Sequence, residues 1–396
     1  MNENQKRTVE YSRERLLPME DGILKPIIKW PGGKEKELSY ILRNAPNNYE
    51  NYYEPFVGGG SVFMAFHSSH AFINDKSAEL IRLYRYIALQ DDVFFTWLDS
   101  ISEAWERTLS FACKNKNLCN VYVQYRSNKL DNTSATNALH SFVSSHADEI
   151  NKILPNTFKW KRELFFFEVE KCLVHKFLRM KKIEQDRKIM PEQDIYDNIE
   201  TAFTSAMYTY LRTLYNSIEI HIFEQLYTAL FVFLRNYAYS GMFRYNDKGE
   251  FNVPYGGISY NHKSMTQKKI YYKSLELLQH FSNTTIENYD FEEFFNLYQP
   301  TPRDFVFLDP PYDTEFSTYS QNEFTKQDQK RLADYLCLRC QAMWMLVIKY
   351  TPFVFSLYNR EGIVIKKFDK KYMVSFMNRN DKDAEHLIIM NYNNKH

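Results

Sequence analysis

The sequence predicts an α/β fold: a largely parallel sheet with helices on both faces, carrying an inserted helical and β-hairpin module. Three observations predict it. Both chain ends alternate short apolar strand runs with amphipathic helix patterns, as strands joined by crossover helices do. Between about 92 and 235 that alternation stops, glycine is absent, and charges of both signs interleave at helical spacing. A glycine run at 58–60 and the pair Pro310-Pro311 each follow a strand-like run, where open α/β sheets place ligands.

A chain of 396 residues holds one large domain or two moderate ones, and a hydrophobic fraction of 44% supplies a sizeable core. The formal net charge of +1 argues against indiscriminate coating of nucleic acid, while leaving room for a local basic face. An aromatic share of 17% suits a thick core and base stacking alike. Five cysteines in this length make no disulfide framework. Residues 1–22 read as a flexible polar lead rather than a signal peptide. No apolar run approaches the roughly 20 residues of a membrane span, so no membrane partner and a cytoplasmic location are expected.

Element by element, PIIKWPGGK reads as an extended run into a turn, and ELSYILRNAP as a helix stopped at Pro46. YYEPFVGGGSVFMAF reads as strand, glycine turn and helix start; AFINDK as a strand ending in Asp75; SAELIRLYRYIALQ as an amphipathic helix. FKWKRELFFFEVEKCLVHKFLRMKKIEQDRK is the longest helix candidate. FRYNDKGEFNVPYGG reads as a hairpin, with turn chemistry from Asn246, Asp247 and Gly249. The helix YYKSLELLQHF and the strands TTIENYDF, DFVFLDPPY, MWMLVIKY and AEHLIIMNY follow.

The chemistry concentrates in three motifs. Asp309-Pro310-Pro311-Tyr312 stands at a strand's carboxyl end. Two prolines fix the backbone and cannot donate, so nearby carbonyls stay free to accept. A carboxylate beside a fixed carbonyl accepts both N–H groups of an exocyclic amine, and Tyr312 offers a π-face for an extruded base. A plain proline turn is the competing reading of that tetrapeptide alone. Second, Phe56-Val57-Gly58-Gly59-Gly60-Ser61 lies between strand and helix, where glycines let backbone approach a ligand. Asp75 ends the next strand, the usual place for an acid that takes ribose hydroxyls, so an adenosyl group satisfies both features. Glu54 is placed to meet the loop backbone or a methionyl ammonium; a plain surface acid is its other reading. Third, Trp30-Pro31-Gly32-Gly33-Lys34 lacks the leading glycine and the Ser/Thr of a phosphate loop and fits cofactor contacts better, although taken alone a plain turn is the stronger reading.

In this order and spacing the motifs resemble those of Dam-type, D12 class DNA adenine methyltransferases. The resemblance extends to VYVQYR at 121–126, to RNYAYSGMFRYNDKGEFNVPYGG at 235–257 and to the tail 385–390. It implies a Rossmann-like S-adenosylmethionine-dependent fold and direct methyl transfer to adenine N6 in double-stranded DNA, without a metal. It implies cofactor contacts at Trp30, Lys34, Asp75 and Asp309, to which the reading of the two glycine segments adds Gly33, Glu54, Phe56, Gly58 and Gly60, and target-amine binding by Asp309, Pro310, Pro311 and Tyr312. It places Tyr239, Ser240, Met242, Arg244 and Pro254 at DNA-contacting positions. A catalytic domain over 23–92 and 265–396 and a recognition domain over 93–264 follow, in a chain expected to be a monomer. Any cognate restriction endonuclease is expected as a separate protein.

Departures mark the limits of the likeness. GATC-methylating members carry Asn where Ser240 stands and an aromatic where Ile258 stands, so the recognition sequence stays open. A stretch near 131–225 is expected to have no counterpart in compact members. Its Lys159, Lys161, Arg162, Lys171, Lys176, Arg179, Lys181 and Lys182 read as a solvated face or as phosphate contacts. Cytosine-N4 or RNA methylation, and a catalytically silent DNA-binding homologue, remain as alternatives. The insertion shows no convincing carboxylate–lysine cleavage cluster of a fused nuclease. Cys113, Cys119, Cys337 and Cys340 read as buried structural thiols, and the ten histidines show no metal spacing.

Overall fold

Seven strands make one sheet in the order β3-β2-β1-β4-β5-β7-β6. They are β1 (Asn51–Glu54), β2 (His70–Asn74), β3 (Thr284–Glu287), β4 (Phe305–Leu308), β5 (Met343–Lys349), β6 (Val364–Lys371) and β7 (Asp383–Met390). The structure is a computed structural model and describes residues 23–158, 160–311, 324–371 and 383–393. The strands β1 to β5 pair in parallel, and β7 runs antiparallel between β5 and β6. This is a mostly parallel, Rossmann-like sheet. From β1 the order runs outward both ways, so β1 and β4 flank the switch point where such sheets bind ligands.

β4 shows why the chain builds a sheet here. Phe305, Val306, Phe307 and Leu308 are all buried, as a parallel strand covered on both faces requires. Val306, Leu308, Trp344, Leu346, Leu387 and Ile389 share a core with Phe294, Leu332 and Val354 from three helices. His386 is also fully buried, in β7.

The chain divides into two compact units: one runs up to Ala88 and resumes at Leu275, the other is Leu89–Ser274. The second unit is helical. Its longest helix, Arg162–Asp186, lies inside the run that the sequence marks as longest. In the helix Glu224–Tyr237 every residue from 226 to 235 is buried, so that helix is a core element rather than an amphipathic surface one.

Several expectations need correction. After the glycine loop the chain makes only a 3-10 turn, Phe63–Ala65, before β2 begins at His70. The run 284–291 is strand only to Glu287; Asp290 then caps the helix Phe291–Tyr298 by accepting from the Glu292 amide. The helix read over 271–281 is two, Thr266–Tyr272 and Leu275–Phe281. The hairpin near 243–257 holds no regular strand, only the isolated bridges Tyr245↔Phe251 and Ala238↔Tyr255. Cys113 is exposed and Cys337 and Cys340 are half-buried, so of the four thiols read as buried only Cys119 is.

Candidate active site

Neighbouring parallel strands deliver three carboxyl groups to one edge of the sheet. β1 ends on Glu54, Asp75 follows β2 directly, and Asp309 follows β4 directly. β1 is hydrogen-bonded to both of the other strands, so these groups stand at adjacent carboxyl ends.

The segment Trp30–Lys34 closes over that edge. Gly33 donates its amide to the Trp30 carbonyl at 3.2 Å. The Lys34 ammonium, 1% exposed, donates to the Gly32 carbonyl at 2.7 Å and forms an ion pair with the Asp309 carboxylate. A buried ammonium is tolerable only when so paired, and the pair ties the N-terminal turn to the end of β4.

The glycine loop leaves β1 and is held from three sides. Val57 donates to the Asn74 carbonyl at 2.9 Å, Gly58 to Asp75 Oδ2 at 3.1 Å, and the Tyr84 hydroxyl to the Gly58 carbonyl at 3.0 Å. Gly58 sits at φ +50°, and a Cβ there would stand 2.9 Å from Trp30 Cδ1. At Gly59 a Cβ would stand 2.3 Å from the Ile28 carbonyl oxygen. Only glycine lets the loop lie this close to the indole and to that backbone. Phe56 turns to apolar partners, with ring centroids 5.8 Å from Phe291 and 5.6 Å from Phe324.

Electrostatics sort the carboxyls. Burial pushes Asp75 up to about 6, while the Ser77 and Gly58 amides pull it down. Its Oδ1 accepts from Ser77 at 2.9 Å. Among the described residues each oxygen therefore has one protein donor, and a carboxylate offers about four acceptor sites. Glu54 is 2% exposed, which overturns its reading as a surface acid. Its carboxyl accepts from the Tyr52 hydroxyl at 2.6 Å. Burial holds it well above the usual carboxylate range; the Tyr52 bond lowers it, the charges of Asp309 and Asp75 raise it further, and Lys34 lowers it. Those couplings bring Glu54, Asp75, Asp309 and Lys34 into one neighbourhood.

Pro310 is buried and Pro311 exposed, and the Pro311 carbonyl accepts from Gln329 Nε2 at 2.9 Å. Tyr312 lies outside the described residues. Among the described residues no cluster of His, Cys, Asp and Glu could hold a metal ion, and no helix is long and apolar enough to cross a membrane.

The residues fit S-adenosylmethionine on the chemistry of the set. That molecule carries a sulfonium and an ammonium against one carboxylate. The edge offers three carboxyl groups beside the Lys34 ammonium, a backbone loop open to close approach, and an indole laid on that loop.

Sequence reasoning missed the groups that hold these residues in place. Asn74, 1% exposed, donates to the Pro55 and Tyr289 carbonyls at 3.0 and 3.1 Å and accepts from the Tyr289 amide at 2.8 Å. Asn288 donates to the Asp75 carbonyl at 2.8 Å. Its neighbour Tyr289 is a half-buried aromatic in a run read as strand, and nothing local in the sequence points to either.

In the helical unit Tyr239, Ser240, Arg244 and Pro254 are exposed and Met242 is half-buried. Ser240 adopts a left-handed backbone, φ 53°, and Tyr239 donates its amide to the Pro254 carbonyl at 2.9 Å. Arg244 Nε donates to Asn252 Oδ1 at 3.3 Å. Behind this segment the Asn216 amide pairs with both backbone groups of Phe251, each at 2.9 Å, as a neighbouring strand would. The Tyr208 hydroxyl and Arg212 donate to the Val253 carbonyl at 2.9 and 3.1 Å.

The basic stretch is largely engaged within its own unit. Arg162 donates to the carbonyls of Asn151, Leu154, Pro155 and Phe158. Lys161 donates to Ser217, Lys171 to Glu168, Lys176 to Asn198, and Lys181 to Tyr125 and Asn128. Arg179 and Lys182 are exposed, and Lys159 lies outside the described residues. Arg126 of the VYVQYR run is likewise spent internally, on Glu184 and the Met190 carbonyl.

Comparison with known proteins agrees with this architecture. The family model of the D12 class N6 adenine-specific DNA methyltransferase matches residues 30–157 and 179–374. The match leaves out 158–178 rather than the whole stretch near 131–225. Among curated relatives, Type II methyltransferase M.CviBI of Paramecium bursaria Chlorella virus NC1A is 26% identical, over 93% of this chain and 100% of its own length. Type II methyltransferase M.MjaIII of Methanocaldococcus jannaschii is 26% identical, over 93% of this chain and 99% of its own. The DNA adenine methylase of Escherichia coli K12 is 23% identical, over 78% of this chain and 73% of its own. With a sheet of the methyltransferase kind, acidic and glycine elements at its switch point and a family match over most of its length, this chain belongs to the D12 class of N6 adenine-specific DNA methyltransferases.

Proposed function

We propose that the chain is a site-specific DNA adenine-N6 methyltransferase that uses S-adenosylmethionine to modify an adenine flipped out of double-stranded DNA. The observation that carries this reading is the meeting of Lys34 and Asp309 beside Glu54, Asp75 and the glycine loop at the carboxyl ends of β1, β2 and β4.

When bound, S-adenosylmethionine supplies an electrophilic methyl carbon on a sulfonium. In this reading Trp30, Gly33, Phe56, Gly58 and Gly60 shape its seat, Asp75 takes ribose hydroxyls, and Glu54, Asp309 and Lys34 serve its charged end. Asp309 and the proline carbonyl beside it accept the two N–H groups of the target amine, which draws the nitrogen lone pair out of the ring system. Lys34 orients the Asp309 carboxylate. The acceleration comes from this positioning. Asp309 need not be a strong base, because the proton leaves after the nitrogen has become cationic. Tyr312 stacks on the extruded base. Extrusion is required because the amine is paired inside the duplex.

The catalytic domain is assigned to 23–92 and 265–396 and recognition to 93–264, with Tyr239, Ser240, Met242, Arg244 and Pro254 meeting DNA. Exposure of Arg244 supports contact with a guanine edge or a phosphate. The chain is assigned as a cytoplasmic monomer. The names of the viral and archaeal relatives support a restriction–modification setting, with the endonuclease a separate protein.

Modification-sensitive sequencing of DNA from a methylation-free host expressing the chain tests this. N6-methyladenine at one short sequence is expected, and Asp309→Ala should abolish it. N4-methylcytosine in its place, or full modification by Asp309→Ala, would overturn the reading.

A further inference from the structure

Past β4, covalent geometry alone restrains nearly every soft torsion of the backbone. The rings fix φ of Pro310 and Pro311 near −65°. Asp309 and Pro310 each precede a proline, which confines both to extended conformations. The torsion left open is ψ of Pro311, which decides where that carbonyl points. Gln329 holds this carbonyl, donating from Nε2 at 2.9 Å.

Gln329 is itself firmly placed. It is fully buried, in the helix Lys326–Leu338, and its amide donates to the Thr325 carbonyl at 3.0 Å. The capping box of Thr325 and Asp328 fixes the first turn of that helix. Arg331 in the next turn pairs with Asp290 at 2.9 Å and Glu292 at 3.4 Å. The side chain thus reaches Pro311 from a fixed base.

For stability alone Gln329 is a poor choice. Its Oε1 is buried and has no hydrogen-bond partner among the described residues. The carbonyl it serves belongs to an exposed residue, which water could satisfy. An apolar side chain of similar size would leave nothing buried unsatisfied.

We propose that Gln329 is a positioning residue for methyl transfer: by holding the Pro311 carbonyl it anchors the far end of the stiff Asp309–Pro311 run, and with it the Pro310 acceptor carbonyl, to the helix Lys326–Leu338. The proposal rests on the methyltransferase reading above. Gln329 touches neither the amine nor the cofactor; it acts through Pro311.

The test compares Gln329→Leu and Gln329→Glu with the unaltered protein, measuring single-turnover methyl transfer, S-adenosylmethionine affinity and melting temperature. Gln329→Leu should melt at or above the unaltered temperature and bind cofactor equally well, yet transfer methyl on the order of 100-fold more slowly, the cost of releasing the far end of the run and letting the Pro310 carbonyl drift. Gln329→Glu supplies a donor only while its buried carboxyl is protonated, so its transfer rate should fall as pH rises, unlike the parent's. Unaltered transfer by Gln329→Leu, or a Gln329→Glu pH profile matching the parent's, would overturn the proposal. A rate loss that simply tracks loss of folded protein would also overturn it. An unaltered chain that methylates nothing would instead refute the methyltransferase reading.

Discussion

Asp75 makes cofactor binding depend on pH in a calculable way. Burial lifts its carboxyl to about 6 against an ordinary 3.8. If it accepts two ribose hydroxyls, binding favours the ionised form. Affinity is then flat well above pH 6 and falls below it, with a limiting slope of tenfold per pH step. At pH 5 about one protein in ten carries the ionised group, so the dissociation constant should rise about tenfold over its value at pH 8. Calorimetric titration with S-adenosylmethionine, repeated across pH 5–8, reads this directly. Asp75→Asn should bind more weakly at pH 8 and show a much flatter profile. The sign of the stability effect is opposite. A raised folded-state value means that Asp75 contributes stability below its unfolded value of 3.8, and loses that contribution as pH rises through about 6. The ligand-free protein should therefore gain from this group where cofactor affinity is lost. A dissociation constant unchanged from pH 8 to pH 5 in the unaltered protein, which stays folded throughout, would refute the role given to Asp75.

Three further outcomes are expected. Gly59→Ala puts a Cβ 2.3 Å from the Ile28 carbonyl oxygen, so the loop must move by about an ångström to reach ordinary contact; calorimetry should show cofactor affinity falling at least tenfold, and unchanged affinity would mean the loop is not the seat. Asn216→Ala removes both side-chain bonds to the Phe251 backbone; denaturant unfolding should show a loss of about 2 kcal/mol, and DNA affinity should fall with it. Charge reversal at the exposed Arg179 and Lys182 tests the phosphate reading of the long helix; an unchanged salt slope of DNA binding means these are solvated side chains.

The sequence carried the strands and the motifs at their ends, because each is a local statement. FVFL is apolar throughout and buried throughout, and Asp309 follows it in both chain and space. The carboxyl ends of β1, β2 and β4 were legible for the same reason. β6 was not read as a strand, since VIKKFDKK carries four lysines in eight residues. At a sheet edge lysine is a means of discouraging further pairing, so the pattern that hides the strand is one that suits its place. The recognition hairpin was overstated: Asn246 and Gly249 do make a turn, with Asn246 Oδ1 accepting from Lys248 and Glu250, but helix side chains replace most of the ladder. Local turn chemistry says nothing about such partners. Glu54 had two readings from sequence, and only its burial separates them. The ties of Asn74 to Tyr289, of Lys34 to Asp309 and of Gln329 to Pro311 join residues from 18 to 275 positions apart, and no periodicity announces them.

The position of β1 between β2 and β4 has a consequence for how the protein is made. A ribosome completes β1 and β2, then all of Leu89–Ser274, before β4 is synthesised. Until then one rim of β1 presents bare amides and carbonyls, a template for wrong pairing. Nascent or prematurely terminated chains would share that open rim and lack Asp309, so they should clump or be degraded rather than compete for DNA.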